Sequence, residues 1–265
     1  MSYTLFKANI KNNRFIWILM AAIYTFYYSI MLTMFDPESA EGLMAMMDAM
    51  PKELIDALGF NFGTTLLTFI SGTLYSMLLF MFPMILTIVV NHRLIASQVD
   101  KGSMAYLIST SNSRKKIATT QALFSIISIT TLFVYITIIA LILSSTMFPG
   151  QLEIGKFLLL NLYALLLYYA INSICFFASC FANETRHSLG LGAGIPIGFV
   201  ILQMLGDSGE QLNWIGNLSL YALFNPERLF AGDAFAYVGM FVFAIIATVL
   251  YVSGIIIFDK KDLPI

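Results

Sequence analysis

The sequence predicts an all-α, polytopic membrane protein with six transmembrane helices, and three observations predict it. Of 265 residues, 59% are hydrophobic and only 11% charged, whereas a soluble domain averages about 25% charged residues. Apolar runs of about 20 residues, the length that crosses a bilayer as a helix, recur six times. The basic residues are concentrated in alternate segments between those runs. So little polar surface cannot cover a water-soluble body, which excludes a soluble enzyme or binding domain. Residues 1–265 read as one transmembrane domain.

The first run spans roughly Phe15 to Phe35. Lys7, Lys11 and Arg14 precede it as in a signal sequence, but the run is long and no small-x-small cleavage site follows. A retained anchor is expected. Ahead of it, "SYTLFKANIKNNR" places Leu5, Phe6 and Ile10 on one side, the pattern of a short helix lying on the membrane surface. The second run spans Thr65 to Val90 and the third Ile117 to Phe148, which is long enough for an extra turn or for tilt. The fourth runs from Phe157 to Phe181, the fifth from Leu189 to Leu205 and the sixth from Tyr237 to Phe258. The fifth opens "LGLGAGIPIGF", where Gly190, Gly194 and Gly198 recur on one helical face. Such small-residue stripes let helix backbones approach closely, against either another helix of this chain or a second copy of it. Pro196 predicts a kink.

With the N-terminus in the cytosol, the inner segments hold Lys7, Lys11, Arg14, Arg93, Lys101, Arg114, Lys115, Lys116, Arg186, Lys260 and Lys261. The outer segments hold only Lys52, Lys156 and Arg228. This is a clear positive-inside bias, and an even number of spans returns "FDKKDLPI" to the cytosol.

Two outer segments have patterns of their own. In "DPESAEGLMAMMDAMPKELIDALGF", Leu43, Met46, Met47 and Met50 fall on one helical face, with Leu54, Ile55 and Leu58 beyond Pro51. This reads as a helix on the outer membrane surface or as a contact for an amphipathic substrate. "GDSGEQLNWIGNLSLYALFNPERLFAGD" mixes polar residues with Trp214, Leu218, Leu220, Leu223 and Phe224, which suits short re-entrant or interfacial helices.

No Asp, Glu, Lys or Arg falls within the core of any run, although ion-coupled carriers usually keep such a group at membrane depth. There is no H-E-x-x-H, no G-x-S-x-G and no G-x-x-x-x-G-K-[ST], so no catalytic residue and no metal site is assigned. His92 and His187 sit at the expected cytosolic edge, and Cys175 and Cys180, five residues apart in one run, read as apolar core. Among uncharged polar residues within the runs, most read as interhelical hydrogen bonds. Tyr24, Tyr28 and the Asn172 region are the candidates for lining a cargo path.

The most informative segment joins the second and third runs, His92 to Lys116, and carries five of the 14 basic residues. Leu94, Ile95, Met104, Leu107 and Ile108 make a broken amphipathic pattern interrupted near Gly102, which predicts two short helices. Ser111 or Ser113 can cap the following span. The three basic residues at that helix start oppose its dipole, a cost that anionic headgroups or an acidic partner would offset.

The order of residues here resembles the permeases of the ABC type-2 family. A basic residue (Arg93), an acid (Asp100), Gly102 and Ser103, the apolar Leu107, then Ser113, Arg114 and Lys116 follow that pattern. Asp100 stands where Glu is usual, and Asn112 where Pro often precedes Ser-Arg. The closing "FDKKDLPI" is similar to that family's ending. The resemblance implies a permease subunit of an ATP-driven exporter in a cytoplasmic, bacterial membrane, with two copies of a separate ATPase and a second copy of this chain as partners. ATP and Mg would then be bound by the ATPase and no cofactor by this chain; membrane lipid and an amphipathic or hydrophobic cargo (peptide, lipid or drug) complete the partners, without nucleic acid. It further implies that the elbow between the second and third spans, with Arg93, Asp100, Gly102, Ser103, Leu107, Arg114 and Lys116, couples to the ATPase, and that the first and fifth spans line the path between two copies. The alternatives are an ion-coupled carrier or channel, which would transport without any ATPase, and a non-transporting scaffold or sensor.

Overall fold

The computed structural model describes residues 1–35, 65–75, 79–109 and 113–261. Among them the chain is all helix and turn, and six helices are long and apolar enough to cross a membrane. The Met-rich segment of the sequence reading lies outside the described residues.

Helix α1 runs from Tyr3 to Thr33. The N-terminal polar stretch is thus continuous with the first span rather than a separate surface helix. The residues between Tyr3 and Thr33 include neither Gly nor Pro, so nothing stops the helix where the polar leader meets the apolar run. The second span is seen as α2 (Leu66–Thr73) and α3 (Leu79–Leu94). A reciprocal pair opens α2: Thr65 Oγ1 accepts from the Thr68 N–H and Thr68 Oγ1 accepts from the Thr65 N–H. Helix α3 extends one turn beyond the expected Val90 and carries Arg93 in its last turn, a cation suited to a helix C-terminus.

Two short helices follow, α4 (Ala96–Asp100) and α5 (Ser103–Ile108), as the broken pattern predicts. Helix α6 (Arg114–Met147) is capped by Ser113, whose Oγ accepts from the Lys116 N–H at 3.2 Å. Its 34 residues reach about 51 Å at 1.5 Å per residue, well beyond a hydrocarbon core of about 30 Å. Helix α7 spans Ile154–Phe181, and α8 spans Thr185–Asp207 and runs unbroken across Pro196. Two further short helices, α9 (Asn213–Gly216) and α10 (Pro226–Phe230), precede α11 (Ala234–Lys260).

The axis of the bundle is α7. It packs against α11, α8, α3 and α6, while α1 lies against α6 and α3. Phe157, Leu160, Tyr163, Ala164, Leu167, Tyr168, Ala170, Ile171 and Phe176 are fully enclosed. The outward faces stay apolar, with Phe15, Phe26 and Phe241 largely exposed, as expected where the surrounding medium is lipid. Hydroxyls on those faces bond back to their own helices: Thr131 Oγ1 donates to Ile127 O and Thr248 Oγ1 to Ala244 O. Without water, a polar group in a span must find its partner internally.

One end of the bundle, here the elbow end, gathers the start of α1, the end of α3, α4, α5, the start of α6, the end of α7, the start of α8 and the end of α11. The opposite end holds α9, α10 and the 3₁₀ turns Glu210–Leu212 and Leu220–Leu223. There Tyr221, Phe224 and Leu229 are buried while Trp214 and Leu218 are exposed. Gly206 and Gly216 let α8 and α9 touch backbone to backbone. A Cβ at Gly206 would lie 2.4 Å from the Gly216 Cα.

Candidate functional site

The elbow is seated by apolar residues and presents polar ones. Ile95, Ala96, Val99 and Met104 are buried, and Leu107 and Ile108 are half-buried against the core. Gly102, at φ 69°, turns the chain between α4 and α5 in a conformation that L side chains rarely adopt. Ser103 Oγ donates to Gln98 O at 3.1 Å and also to the Gln98 side chain, which fixes the turn. Tyr106 is 80% exposed, and Arg93, Asp100 and Lys101 are also on the outside.

Hydrogen bonds tie this elbow to the spans and tie the span ends beside it to one another. Thr185 Oγ1, at the first residue of α8, donates to Asp100 Oδ2 at 2.7 Å. Gln121 Nε2 on α6 donates to Leu94 O at 2.9 Å, and Asn9 Nδ2 on α1 donates to Gln121 Oε1, so α1, α3 and α6 are clamped at one level. The backbone N–H of Ser2 also donates to Thr120 Oγ1 at 2.9 Å.

Arg114 Nη1 donates to Lys261 O at 2.8 Å. The Lys261 ammonium in turn donates to Cys180 O, Phe181 O and Ala182 O at 3.2, 2.7 and 2.7 Å. These are carbonyls at the end of α7 that have no partner within that helix. Burial pushes the Lys261 ammonium below the ordinary lysine range.

Of the residues expected to couple, the structure brings Arg93, Asp100, Gly102, Ser103 and Leu107 together on the elbow. Arg114 and Lys116 stand at the start of α6, beyond residues 110–112, which lie outside the described residues. Lys116 is exposed, and its backbone N–H makes the cap bond to Ser113. The sequence reading missed Thr185, Gln121 and Lys261. Gln121 carried a signal, a long amide within an apolar run. The other two act through partners distant in the chain.

At mid-bundle, Asn172 is not on an open path. It is 1% exposed and belongs to a closed network across α3, α6, α7 and α11. Asn91 Nδ2 donates to Asn172 Oδ1 at 2.5 Å, Asn172 Nδ2 donates to Ser125 O at 3.1 Å, and Ser125 Oγ donates to Asn91 Oδ1 at 2.7 Å. The Tyr251 hydroxyl lies 3.3 Å from Ser125 Oγ. Tyr28 is buried, its hydroxyl 3.1 Å from Ser144 Oγ. Tyr24 is buried against Phe82, and its hydroxyl has no hydrogen-bond partner among the described residues. All three therefore point into this chain's own bundle.

The glycine stripe of α8 faces the other way. Among the described residues, a Cβ at Gly190, Gly194 or Gly198 would meet nothing within 4 Å. The face that packs on α7 is Ser188, Gly192 and Pro196. A Cβ at Gly192 would lie 3.4 Å from the Ala178 Cβ, and Cys175 Sγ donates to Gly192 O at 3.1 Å. Among the described residues the close approach to α7 thus uses Gly192, which lies between the striped positions and on another face. Among the described residues no cluster of three His, Cys, Asp or Glu is arranged to hold a metal ion.

Comparison of the chain with protein-family models and with curated proteins finds no match to either.

Proposed function

We propose that this chain is the permease subunit of an ATP-binding-cassette exporter of the type-2 class, moving an amphipathic or hydrophobic cargo across a bacterial cytoplasmic membrane. The observation that carries this reading is the elbow. It is a folded two-helix element, anchored by Ile95, Val99 and Met104 and hydrogen-bonded through Asp100 to the first residue of α8. An element of this kind moves as one body when pushed and takes the start of α8 with it.

In this reading a partner ATPase, holding ATP and Mg, docks on the outward side around Tyr106, which is 80% exposed, and the basic start of α6 at Arg114 to Lys116. Closure of two ATPase copies displaces two elbows. Two copies of the chain meet along the open faces of α1 and α8, with the glycine stripe allowing close approach. The cargo path then lies between the copies. It is lined by the outward faces of those helices rather than by Tyr24, Tyr28 and Asn172, which point inward. Cargo with large apolar faces suits such walls.

The test is co-expression with the ATPase encoded nearest to this chain's gene, followed by co-purification and assay of ATP hydrolysis and of vesicle uptake of a labelled amphipathic peptide. Tyr106→Asp, or charge reversal across Arg114 to Lys116, should abolish co-purification while the chain still inserts. Thr185→Val should retain the ATPase and its hydrolysis but lose most of the uptake. Hydrolysis-driven uptake that survives both elbow changes would overturn the docking assignment, and uptake without any ATPase would favour an ion-coupled carrier.

A further inference from the structure

Between the start of α1 and the elbow lies a polar cavity of about 280 Å³, lined by Asn9, Asn12 and Asn13 on one side and by Arg93, Gln98 and Lys101 on the other. Two features of it call for a ligand. First, it holds two cations, and neither forms an ion pair with a carboxylate among the described residues. Asp100, the nearest acid in the sequence, accepts its bond from Thr185 on α8. Second, Asn13 is 4% exposed. Its Nδ2 donates to Asn9 O at 3.0 Å, while its Oδ1 has no donor among the described residues. A buried acceptor left without a donor is costly. The walls are fixed, because the Asn9–Gln121–Leu94 chain clamps α1 to α3.

We propose that this cavity binds the headgroup of a phospholipid that carries both a phosphate and a hydrogen-bond donor, an ammonium or a hydroxyl. The phosphate sits between Arg93 and Lys101 in charge-assisted contact, and the donor serves Asn13 Oδ1. The position along α1 favours a lipid over a free phosphate ester. Up to Arg14 the outer face of α1 carries Lys7, Lys11 and Arg14, and beyond it that face is uncharged, with Phe15 and Ile18 75% and 61% exposed, so the cavity stands at the height where headgroups meet hydrocarbon. Basic pockets at span ends are a recurrent way of holding anionic headgroup atoms. The proposal concerns this chain alone and stands whether or not an ATPase docks on the elbow.

The experiment is native mass spectrometry of the purified full chain, titrated in detergent with dioleoyl-phosphatidylethanolamine, dioleoyl-phosphatidylcholine or dioleoylglycerol. The ethanolamine lipid should bind about tenfold more tightly than either of the others, the size expected for loss of one charge-assisted contact set. This comparison needs no variant. The Arg93→Gln/Lys101→Gln double variant, altered only at exposed positions, should lose the preference over dioleoylglycerol, and Asn13→Ala should bring the ethanolamine lipid to the level of the choline lipid. Lys7→Gln/Lys11→Gln, which removes the same charge from the exposed side of α1, should change nothing. If inorganic phosphate or glycerophosphoethanolamine at millimolar concentration displaces the lipid, the site takes the free ester; if neither does, the lipid is the ligand. Equal retention of all three lipids overturns the proposal. So does a double variant that keeps the preference over dioleoylglycerol, or an equal loss in the Lys7/Lys11 variant.

Discussion

Single residues in this chain divide by whether a neighbour stands where a side chain would grow. Gly206 and Gly190 are both glycines of α8, yet a Cβ at the first meets backbone at 2.4 Å and at the second meets nothing within 4 Å among the described residues. Gly206→Ala should therefore cost about 1–3 kcal/mol through forced separation of α8 and α9, seen as a lower thermal midpoint in one fixed detergent. Gly190→Ala should leave the midpoint of the isolated chain unchanged. The Asn91–Ser125–Asn172 network gives a second prediction. Interhelical hydrogen bonds in membranes average only about 0.6 kcal/mol, but Asn172→Ala leaves one N–H of Asn91 Nδ2 without an acceptor, the other still bonded to Thr87 O, where no water replaces the partner, a penalty of about 1–3 kcal/mol. The stranding term wins, so Asn91→Ala combined with Asn172→Ala should cost less than the sum of the two single changes. Additive losses in the same melts would show that the two amides act independently.

Elements were legible in the sequence where the signal is local. Six apolar runs gave six long helices, and the interruption at Gly102 gave two short helices where two were expected. The merging of the leader into α1 was less visible, because a polar leader and an apolar span differ in composition but not in helical propensity. What joins the elements was not legible. Thr185 meets Asp100 and Lys261 meets the end of α7 across 85 and about 80 positions of chain, and no periodicity encodes contacts of that separation. The glycine stripe shows the converse failure: spacing gave the face, but only the fold shows that Gly192, between the striped positions, is the one against α7. The Lys261 contact carries its own prediction. One ammonium serves three carbonyls at the α7 C-terminus, so Lys261→Met should fray that turn by about 1–2 kcal/mol of local opening. Hydrogen exchange should rise at residues 178–182, with mid-bundle amides near Asn172 unchanged; unchanged exchange at the α7 end would remove Lys261 as its cap.

For the whole molecule, the distribution of charge bears on which way the bundle sits. The elbow end gathers Lys7, Lys11, Arg14, Arg93, Lys101, Arg114, Lys115, Lys116, Arg186, Lys260 and Lys261, whereas the described residues of the opposite end hold Lys156 and Arg228, each beside an acid: Glu153 at 2.9 Å and Asp233 at 3.9 Å. Lys and Arg resist translocation when they flank spans, so the elbow end is expected to stay in the cytosol. The chain is suited to a direct test because both native cysteines are buried, Cys175 at 2% and Cys180 at 0% exposed, and give little background with a thiol reagent. Ser109→Cys at the elbow and Gln151→Cys between α6 and α7 are both at exposed positions. In intact cells a membrane-impermeant maleimide should label the Gln151 variant at once and the Ser109 variant only after the membrane is opened. The opposite pattern would place the elbow outside, away from any cytosolic ATPase, and would remove the permease reading. It would leave the lipid site standing, since headgroups line both faces of the bilayer. Labelling of both variants without permeabilisation would mean mixed insertion, and Arg114→Glu combined with Lys115→Glu and Lys116→Glu should then increase the inverted fraction.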